Sequence, residues 1–429
     1  MQKNSTLSEK IHGATVISTD NYKQGRSDKS TSIVTAQTTE DKIPHLLKYM
    51  GSKREIMDFV VNSIQSIGVD SQWFCDLFAG SGVISAALKG SYNVHANDIQ
   101  AYSSILTITY LSNLKQNVGA DRIDEIKKSV QKLVRQFSLK YPGLRFIYPE
   151  NPTFEEFSAI EKEQQLLIER QFDIGFHLFT KYYSGTYWSF EQCLWIDSIR
   201  AVAERYIGTV EYYAILSSLI FAMAYASQST GHYAQYRGIA ENSMADILTY
   251  RRREIWPYFE KKFNELISSL NGTTKSHRTT TLDYVDCLRI IEEESIVYAD
   301  PPYQSVHYSR FYHILETLVR YDYPKLKYKG RYREDRHQSP FCKRTTVNNA
   351  FKFLFEGVKS KKAHLVLSYS NVGMISLQEI EEIGETILGN GYSRSVLSKD
   401  HVHSKMGRSD ERQHDVTEYI LLFKRGQNG

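Results

Sequence analysis

The sequence contains little cysteine and no long apolar run. Only four of its 429 residues are cysteines (Cys75, Cys193, Cys287 and Cys342), and no CxxC pair occurs, which excludes a disulfide framework and a zinc knuckle. No uninterrupted apolar stretch reaches the roughly 18 residues of a membrane helix, and residues 1–40 lack the apolar segment of a signal peptide. We therefore expect a soluble, cytoplasmic protein without a metal site.

The composition indicates a large globular protein with one strongly basic stretch. Hydrophobic residues make up 41% and aromatic residues 13% of the chain, which is sufficient for a sizeable core. The length corresponds to one large domain with an insertion, or to two domains. The net charge is only +4, yet residues 320–344 contain nine Lys/Arg and three Asp/Glu, a local excess of +6. This stretch is either a polyanion-binding segment or a solvated surface loop.

The order of strand and helix patterns predicts an open α/β sheet interrupted by a helical insertion. The polar, Ser/Thr-rich residues 1–42 indicate a flexible leader, with regular structure starting near Ile43. Apolar runs at 73–78 and 92–98 flank a helical segment, which is a βαβ pattern, and residues 101–270 are mostly helical. Further strands are predicted at Thr279–Leu282, Ser295–Ala299, Ala363–Ser368, Tyr392–Leu397 and Glu418–Phe423. The last two predict a closing antiparallel hairpin.

The segment Asp76-Leu-Phe-Ala-Gly-Ser-Gly82 follows the first predicted strand and is typical of a nucleotide-binding turn. Small residues there let the backbone turn sharply and approach a ligand closely at a helix N-terminus. Asp98 lies sixteen residues after Gly82, at the end of the next strand, where a carboxylate can accept hydrogen bonds from two ribose hydroxyls. The pattern suits NAD and S-adenosylmethionine (AdoMet) equally, and a tight structural turn is the alternative.

The segment Asp300-Pro301-Pro302-Tyr303 directly follows an apolar strand. Two prolines make the turn rigid and remove two backbone donors, while the neighbouring carbonyl groups remain acceptors at the ligand-binding edge of the sheet. A carboxylate, a fixed carbonyl group and an aromatic ring can together hold a planar, amino-substituted heterocycle. The two acceptors would localise the lone pair of the exocyclic amine, and the ring would stack on the base. An ordinary Asp-Pro turn with a buried tyrosine is the alternative.

Four ordered motifs resemble those of the Dam-type (DPPY, alpha-group) site-specific DNA adenine methyltransferases: LKYMGSK at 47–53, DLFAGSG at 76–82, NDIQ at 97–100 and YADPPY at 298–303. The resemblance covers the chain after the leader. It implies a Rossmann-like class I AdoMet-dependent methyltransferase sheet with an inserted, mainly helical target-recognition domain. The predicted parts are the leader at 1–42, the catalytic domain at 43–115 and 275–429, and the insertion at 116–274. Tyr49 stands where the family often has Trp.

The resemblance assigns roles to individual residues. Asp300, Pro301 and Tyr303 would hold the target adenine. Contacts with AdoMet are implied for Tyr49, Lys53, Asp76, Phe78, Gly80, Gly82, Asp98, Asp283 and Asp300. Asp98 would bind the ribose and Asp283 the adenine amino group of the cofactor, although a helix N-cap is an equal use of Asp283. The implied reaction is direct in-line methyl transfer to the 6-amino group of a flipped-out adenine in double-stranded DNA.

DNA contacts are predicted in two regions. Arg310, Arg331, Arg333 and Arg336 would bind phosphates and thereby help to offset the cost of base flipping. Gln235 and Arg237 are residue types that read base edges in the major groove, and a polar protein surface is the alternative for them. The family further implies a restriction–modification system, in which a cognate endonuclease acts separately.

Other functions remain open at this point. An NAD-dependent oxidoreductase would use the glycine loop and Asp98 but has no use for the DPPY segment. Amino-methyltransferases acting on cytosine in DNA usually carry Ser in place of Asp300, and those acting on adenine in RNA or on glutamine in proteins usually carry Asn. A catalytically inactive DNA-binding module would not require an intact cofactor site, so AdoMet binding distinguishes it.

Overall fold

An eight-stranded sheet forms the centre of the computed structural model, which describes residues 15–17, 43–49, 51–229, 232–402 and 415–426. The strands are β1 Thr15–Ile17, β2 Trp73–Asp76, β3 Asn93–Asn97, β4 His277–Thr280, β5 Ile296–Ala299, β6 Leu326–Lys327, β7 Tyr332–Arg333, β8 His364–Ser370, β9 Tyr392–Val402 and β10 Asp415–Arg425. The sheet order is β1-β4-β3-β2-β5-β8-β10-β9, while β6 and β7 form a separate antiparallel pair. Strands β4, β3, β2, β5 and β8 are parallel, and β1, β10 and β9 are antiparallel to their neighbours.

Helices cover both faces of the sheet. The α-helices are α1 Met57–Ser66, α2 Val83–Leu88, α3 Ala101–Leu111, α4 Leu114–Asn117, α5 Arg122–Lys140, α6 Phe154–Gln165, α7 Leu178–Tyr183, α8 Phe190–Ala203, α9 Val210–Ala226, α10 Glu241–Arg251, α11 Ile255–Ser269, α12 Tyr284–Ile290, α13 Tyr308–Arg320, α14 Val347–Ser360 and α15 Leu377–Leu388. Short 3-10 helices lie at Lys53–Ile56, Glu204–Tyr206, Pro340–Cys342 and Gly389–Gly391. Among the described helices, none combines the length and the apolar composition that crossing a membrane requires.

The alternation of side chains along each strand explains the two-sided core. In β5, Ile296 and Tyr298 pack with α1 and α2 on one face. Val297 and Ala299 pack with α12, α14 and α15 on the other face. Because successive side chains of a strand point to opposite faces, a short strand without polar residues is stable only when both faces are covered. Packing on both faces therefore fixes the position of the central strands. Polar groups at the carboxyl ends of these strands are fixed with them.

The long helical region between β3 and β4 shares its core with the sheet region. Helix α3 is buried along its whole length, and its apolar residues belong to the same cluster as those of α8, α9, α11 and α13. The helical region therefore packs directly against elements that flank the cleft described below. The division into a catalytic domain and an inserted recognition domain stays a prediction.

The predicted α/β sheet and its antiparallel C-terminal hairpin are confirmed, because β9 pairs with β10 along eleven residue pairs. Two differences are local. The predicted strand at 279–282 begins and ends two residues earlier, at His277–Thr280, since Leu282 and Asp283 turn into α12. Residues 15–17 of the polar leader form β1, which pairs with β4 through backbone hydrogen bonds. The remaining leader residues lie outside the described part of the chain.

Candidate active site

A cleft opens at the carboxyl ends of β2, β3 and β5, the edge at which open α/β sheets bind ligands. Its volume is about 1030 Å³, including the part that is open to solvent. The lining residues come from 49, 51–53, 76–84, 97–100, 282–284, 298–302, 307–309 and 337–341. All four sequence motifs therefore meet in one cleft. They are joined by 307–309 and 337–341, for which the sequence predicted no cofactor or catalytic role.

Gly80 and Asp98 are tied together at the floor of the cleft. The backbone N–H of Gly80 donates to Oδ2 of Asp98 at 2.9 Å, and the N–H of Gln100 donates to Oδ1 at 2.8 Å. Gly80 has φ +53°, and a Cβ there would lie 3.2 Å from the ring of Tyr49. The glycine is thus required both for its backbone conformation and for the close approach of the aromatic ring. Burial raises the pKa of Asp98, whereas its backbone hydrogen bonds act in the opposite direction.

Gly82 ends the glycine loop and packs against a helix. It does not line the cleft, and a Cβ at this position would lie 2.6 Å from Oγ1 of Thr107 in α3. With φ +76°, Gly82 precedes α2 and allows α2 and α3 to pack closely. Gly82 thus shapes the turn on which Gly80 lies, and its predicted contact with the cofactor stays a prediction.

Asp76 is a buried carboxyl group at the end of β2 and lines the cleft. Burial raises the pKa of Asp76 to about 7, although the hydroxyl of Ser85, which donates to Oδ2 at 2.7 Å, opposes the increase. A carboxyl group in this state changes charge near neutral pH. A cationic ligand group placed beside it would favour the ionised form.

Asp300 lies at the end of β5 and is paired with a buried lysine. Nζ of Lys53 is 2.9 Å from Oδ1 of Asp300 and 3.1 Å from Oε1 of Glu418 in β10. Burial raises the pKa of Asp300 to about 6 against the opposing effect of the lysine. Burial also acts to lower the pKa of Lys53, but the two carboxylates outweigh it and raise that pKa well above its usual value. Lys53 lines the cleft as predicted, but its ammonium group contacts these carboxylates.

Pro301 and Tyr303 differ in their access to the cleft. Pro301 lines it beside Asp300, whereas Tyr303 is only 4% exposed and is not among the lining residues. The Tyr303 ring packs edge-on against Tyr369 at 6.0 Å between centroids, and the ammonium of Lys53 lies 5.8 Å from its centre. Stacking of Tyr303 on a base would need a rearrangement of this packing, and that role stays a prediction.

Tyrosine rings form one wall of the cleft. Tyr49 stacks on Tyr308 with 5.6 Å between centroids and on Tyr312 with 4.8 Å, at interplanar angles of 15° and 12°. Tyr308 lines the cleft and begins α13, a few residues after the DPPY turn. No role in the site was predicted for Tyr308 from the sequence. Phe78 also lines the cleft, with its ring edge-on to that of Phe341 at 5.6 Å between centroids.

Asp283 caps a helix and also lines the cleft. Its Oδ1 accepts the backbone N–H of Val285 at 2.9 Å, which is the N-cap bond of α12. The N-cap use considered in the sequence is therefore present. The predicted contact with the cofactor remains compatible with this position, because a carboxylate accepts more than one hydrogen bond.

Arg310 and Arg336 lie on a surface next to the cleft. Both guanidinium groups lie 5.8 Å from the ring centre of Tyr332, and Nε of Arg310 donates to the Tyr332 hydroxyl at 3.3 Å. Nη1 of Arg336 donates to Oγ of Ser309 at 3.4 Å, and Ser309 lines the cleft. These contacts place two of the predicted DNA-binding arginines directly beside the cleft.

The loop containing Gln235 and Arg237 adjoins the same surface. The hydroxyl of Tyr332 donates to the carbonyl oxygen of Ala234, which holds this loop against the β6–β7 pair. Gln235 is exposed, while Arg237 is half-buried, with Nε 3.5 Å from a carboxylate oxygen of Asp246. We call Arg310, Arg336, Gln235 and Arg237 the basic surface.

Two arginines of the basic stretch are engaged in ion pairs. Arg333 is 2% exposed and forms two-pronged contacts with Asp322 and Asp335 at 2.6–3.1 Å. It is a structural residue, so its predicted phosphate contact is corrected: a buried guanidinium saturated by two carboxylates is not accessible to DNA. Nη2 of Arg331 is 2.8 Å from a carboxylate oxygen of Glu169, and its side chain is 16% exposed. Charge counting along the sequence cannot distinguish such internal pairs from free cations.

One group of potential metal ligands lies beneath the cleft. The donor atoms of Cys75, His95 and Cys287 lie within 4.8 Å of one another, and all three residues are buried. Nε2 of His95 is also 2.9 Å from the hydroxyl of Thr280. None of the three residues lines the cleft. All four cysteines of the chain are free and buried.

The sequence is similar to those of known DNA methyltransferases. Residues 49–383 match the family model for the D12 class N6 adenine-specific DNA methyltransferases. The type II methyltransferase M.FokI of Planomicrobium okeanokoites is 29% identical over 348 residues, which cover 79% of this chain and 46% of the relative. The modification methylase LlaI of Lactococcus lactis subsp. lactis is 24% identical over 88% of this chain and 55% of its own length.

The type II methyltransferase M.NlaIII of Neisseria lactamica is 22% identical, and the match covers 88% of this chain and 99% of that protein. The chain thus spans about half the length of M.FokI and LlaI but nearly all of M.NlaIII. The family match contains the glycine loop, the acidic end of β3 and the DPPY turn, whose residues meet in the cleft. The chain belongs to the D12 class N6 adenine-specific DNA methyltransferase family.

Proposed function

We propose that this protein transfers a methyl group from AdoMet to the 6-amino group of an adenine in double-stranded DNA. The observation that carries the proposal is that Asp98, the end of the glycine loop and Asp300 face one cleft. A binding site for a nucleoside-type cofactor and an acceptor for an amine are thus adjacent. Family membership supports the use of AdoMet and of adenine in DNA.

The residues present fit AdoMet. The two oxygens of Asp98 are oriented by backbone N–H groups and retain acceptor capacity for ribose hydroxyls. Asp76 offers a buried carboxyl group to the positively charged amino group, and Phe78 offers an apolar surface. Asp283 would accept the adenine amino group. When bound, AdoMet supplies a methyl group that its sulfonium makes electrophilic.

Asp300 and Pro301 would hold the target amine for this transfer. Two acceptors, one on either side of an N6 amine, accept hydrogen bonds from its two N–H groups. This localises the nitrogen lone pair, which is then available to attack the methyl group. Asp300 need not be a strong base, because the amine becomes acidic as it bonds to carbon. With a pKa of about 6, Asp300 is mainly ionised at neutral pH and can take the released proton. The main contribution of the protein is alignment, with reacting atoms roughly 3–3.5 Å apart.

Target DNA would contact the basic surface. Arg310 is exposed and Arg336 half-buried, and both lie beside the cleft, as phosphate contacts near a flipped base require. Gln235 and Arg237 lie on the adjoining loop, where they could read base edges. The helical region between β3 and β4 supplies this loop, and we assign target recognition to that region. By analogy with relatives named modification methylases, the proposed role is protection of DNA in a restriction–modification system, with a separately acting endonuclease.

The test is single-molecule sequencing of plasmid DNA from a methylation-free bacterial host that expresses the protein. Modified adenines in one recurring short sequence would support the proposal and identify the target. Modified cytosines would keep the reaction type and overturn the adenine assignment. Unmodified DNA, with protein that is folded and binds AdoMet, would refute DNA as the substrate and leave RNA adenine to be examined.

A further inference from the structure

A buried glutamate lies behind the DPPY turn. Glu418 is in β10, is 1% exposed and does not line the cleft. Its Oε1 is 3.1 Å from Nζ of Lys53 and also accepts the hydroxyl of Ser368 in β8. Because a buried carboxylate is unfavourable unless it is paired, the contact with Lys53 is the reason that Glu418 can be tolerated at this position.

Lys53 connects this glutamate to the acceptor of the target amine. Its ammonium is 2.9 Å from Oδ1 of Asp300, and its side chain is 7% exposed. An aliphatic lysine side chain has many rotamers, and a single ion pair restricts them only in part. With a second buried carboxylate on its other side, the ammonium is held in one place against Asp300.

We propose that Glu418 is a positioning residue for methyl transfer, which holds the Lys53 ammonium on one carboxylate oxygen of Asp300 and thereby fixes the orientation in which Asp300 meets the target amine. This inference rests on the proposed function. It adds to the site a residue from the last strand of the sheet. Neither the motifs nor the lining of the cleft identifies this residue.

The charges around Asp300 determine what the loss of Glu418 should do. The titratable groups that interact with Asp300 are Lys53 and Glu418, together with Asp76 of β2, Tyr298 of β5, Tyr303 of the turn and Tyr308 of α13. Of these, Lys53 lowers and Glu418 raises the pKa of Asp300. Removing the charge of Glu418 by itself would lower that pKa, but release of Lys53 from Asp300 removes a larger effect of opposite sign. If Glu418 holds Lys53 in place, the acidic limb of kcat should therefore move to higher pH.

The experiment compares Glu418→Gln with wild type in pH-dependent methylation kinetics. The amide keeps the size and an acceptor oxygen but removes the charge. We expect kcat to fall by about tenfold to a hundredfold, because displacing a reacting group by roughly 1 Å costs on the order of a hundredfold. The KM for DNA and for AdoMet should be unchanged, and the acidic limb should shift to higher pH. Glu418→Asp keeps the charge but moves it away from Lys53, so kcat should fall and the limb should shift in the same direction by a smaller amount.

Glu161→Gln is the matched control. Glu161 is 1% exposed and is paired with buried Arg251 at 2.9 Å in the helical region. Its loss should reduce stability without moving the acidic limb. A limb in Glu418→Gln that stays in place or moves to lower pH would show that Lys53 remains against Asp300 without Glu418, and would overturn the proposal whatever the size of kcat.

A second measurement does not depend on activity. The measured quantity is the rate at which acetic anhydride acetylates Lys53, followed by mass spectrometry. A slower rate indicates that the ammonium group is held more firmly. We expect labelling of Lys53 to be faster in Glu418→Gln than in wild type and unchanged in Glu161→Gln. If wild type proves inactive on DNA, the proposed function fails, while this measurement still decides whether Glu418 holds Lys53: equal labelling would refute it.

Discussion

Binding of AdoMet is expected to release a proton from Asp76. The carboxyl group is 1% exposed, and its pKa is about 7 because burial disfavours the charged form. If the positively charged amino group of the cofactor lies beside Asp76, the ionised form is favoured and the pKa falls. In the free protein a fraction of the molecules carries a proton on Asp76, and this proton is released when AdoMet binds.

The size of the effect follows from that pKa. At pH 7 about half of the Asp76 carboxyl groups carry a proton, so saturation with AdoMet should release about 0.5 proton per protein. The ionised fraction rises from about one tenth at pH 6 to about one half at pH 7, a range in which an α-amino group stays mostly protonated, so the affinity should increase by about fivefold over this range. Asp300 contributes little at pH 7, because its pKa is about 6 and most of it is already ionised.

Isothermal titration calorimetry at pH 7 in phosphate and in Tris measures this release, since the observed enthalpy changes with the ionisation enthalpy of the buffer. Asp76→Asn should bind AdoMet more weakly and release no proton. Ser85→Ala removes the hydrogen bond that lowers the pKa of Asp76, and should move the release to higher pH. Equal enthalpies in both buffers for wild type, or unchanged release in Asp76→Asn, would refute the reasoning.

Four further variants test other parts of the site. Asp300→Ala should abolish transfer of a tritiated methyl group, while DNA affinity in a gel-shift assay stays within about tenfold, because phosphate contacts dominate binding. Gly80→Ala places a Cβ against the Tyr49 ring at positive φ, so calorimetry should show weaker AdoMet binding and urea unfolding a loss of about 1–3 kcal/mol. Arg310→Ala combined with Arg336→Ala should reduce the slope of log affinity against log salt by about 2. Arg333→Ala should leave that slope unchanged but destabilise the fold to urea by about 2–3 kcal/mol, since it removes the buried partner of two partly exposed carboxylates, which keep only their ion pairs with Arg320; the reverse result would restore Arg333 to the DNA contacts.

The position of a cleft residue could be predicted from the sequence where that residue stands at the carboxyl end of a predicted strand. Asp76, Asp98 and Asp300 each follow a short apolar run, and parallel strands in one sheet bring their carboxyl ends to the same edge. Gly80 could be predicted for the same reason, because a sharp turn after a strand needs its conformational freedom. These are local rules that hold before the partners of a residue are known.

Side-chain partners could not be predicted in this way. Arg333 belongs to the basic stretch 320–344, yet it is buried and forms ion pairs with two carboxylates of the same stretch. Tyr303 was expected to face the target base, but its ring packs against Tyr369 of β8. Tyr308 lines the cleft, although no role was predicted for it from the sequence. In each case the surroundings come from segments whose relative position is a property of the packed fold.

The amino-acid sequence by itself determined the class of sheet, the order of the motifs and the residues that end its strands, because alternation, turn residues and charge are local properties. Tertiary structure alone decided which of these groups interact. It brought Glu418 of the last strand to Lys53 before the first helix, and both to Asp300. The physical reason is that a buried ion pair offsets its desolvation cost only when its partners are held in good geometry, and that geometry depends on the packing of the whole chain.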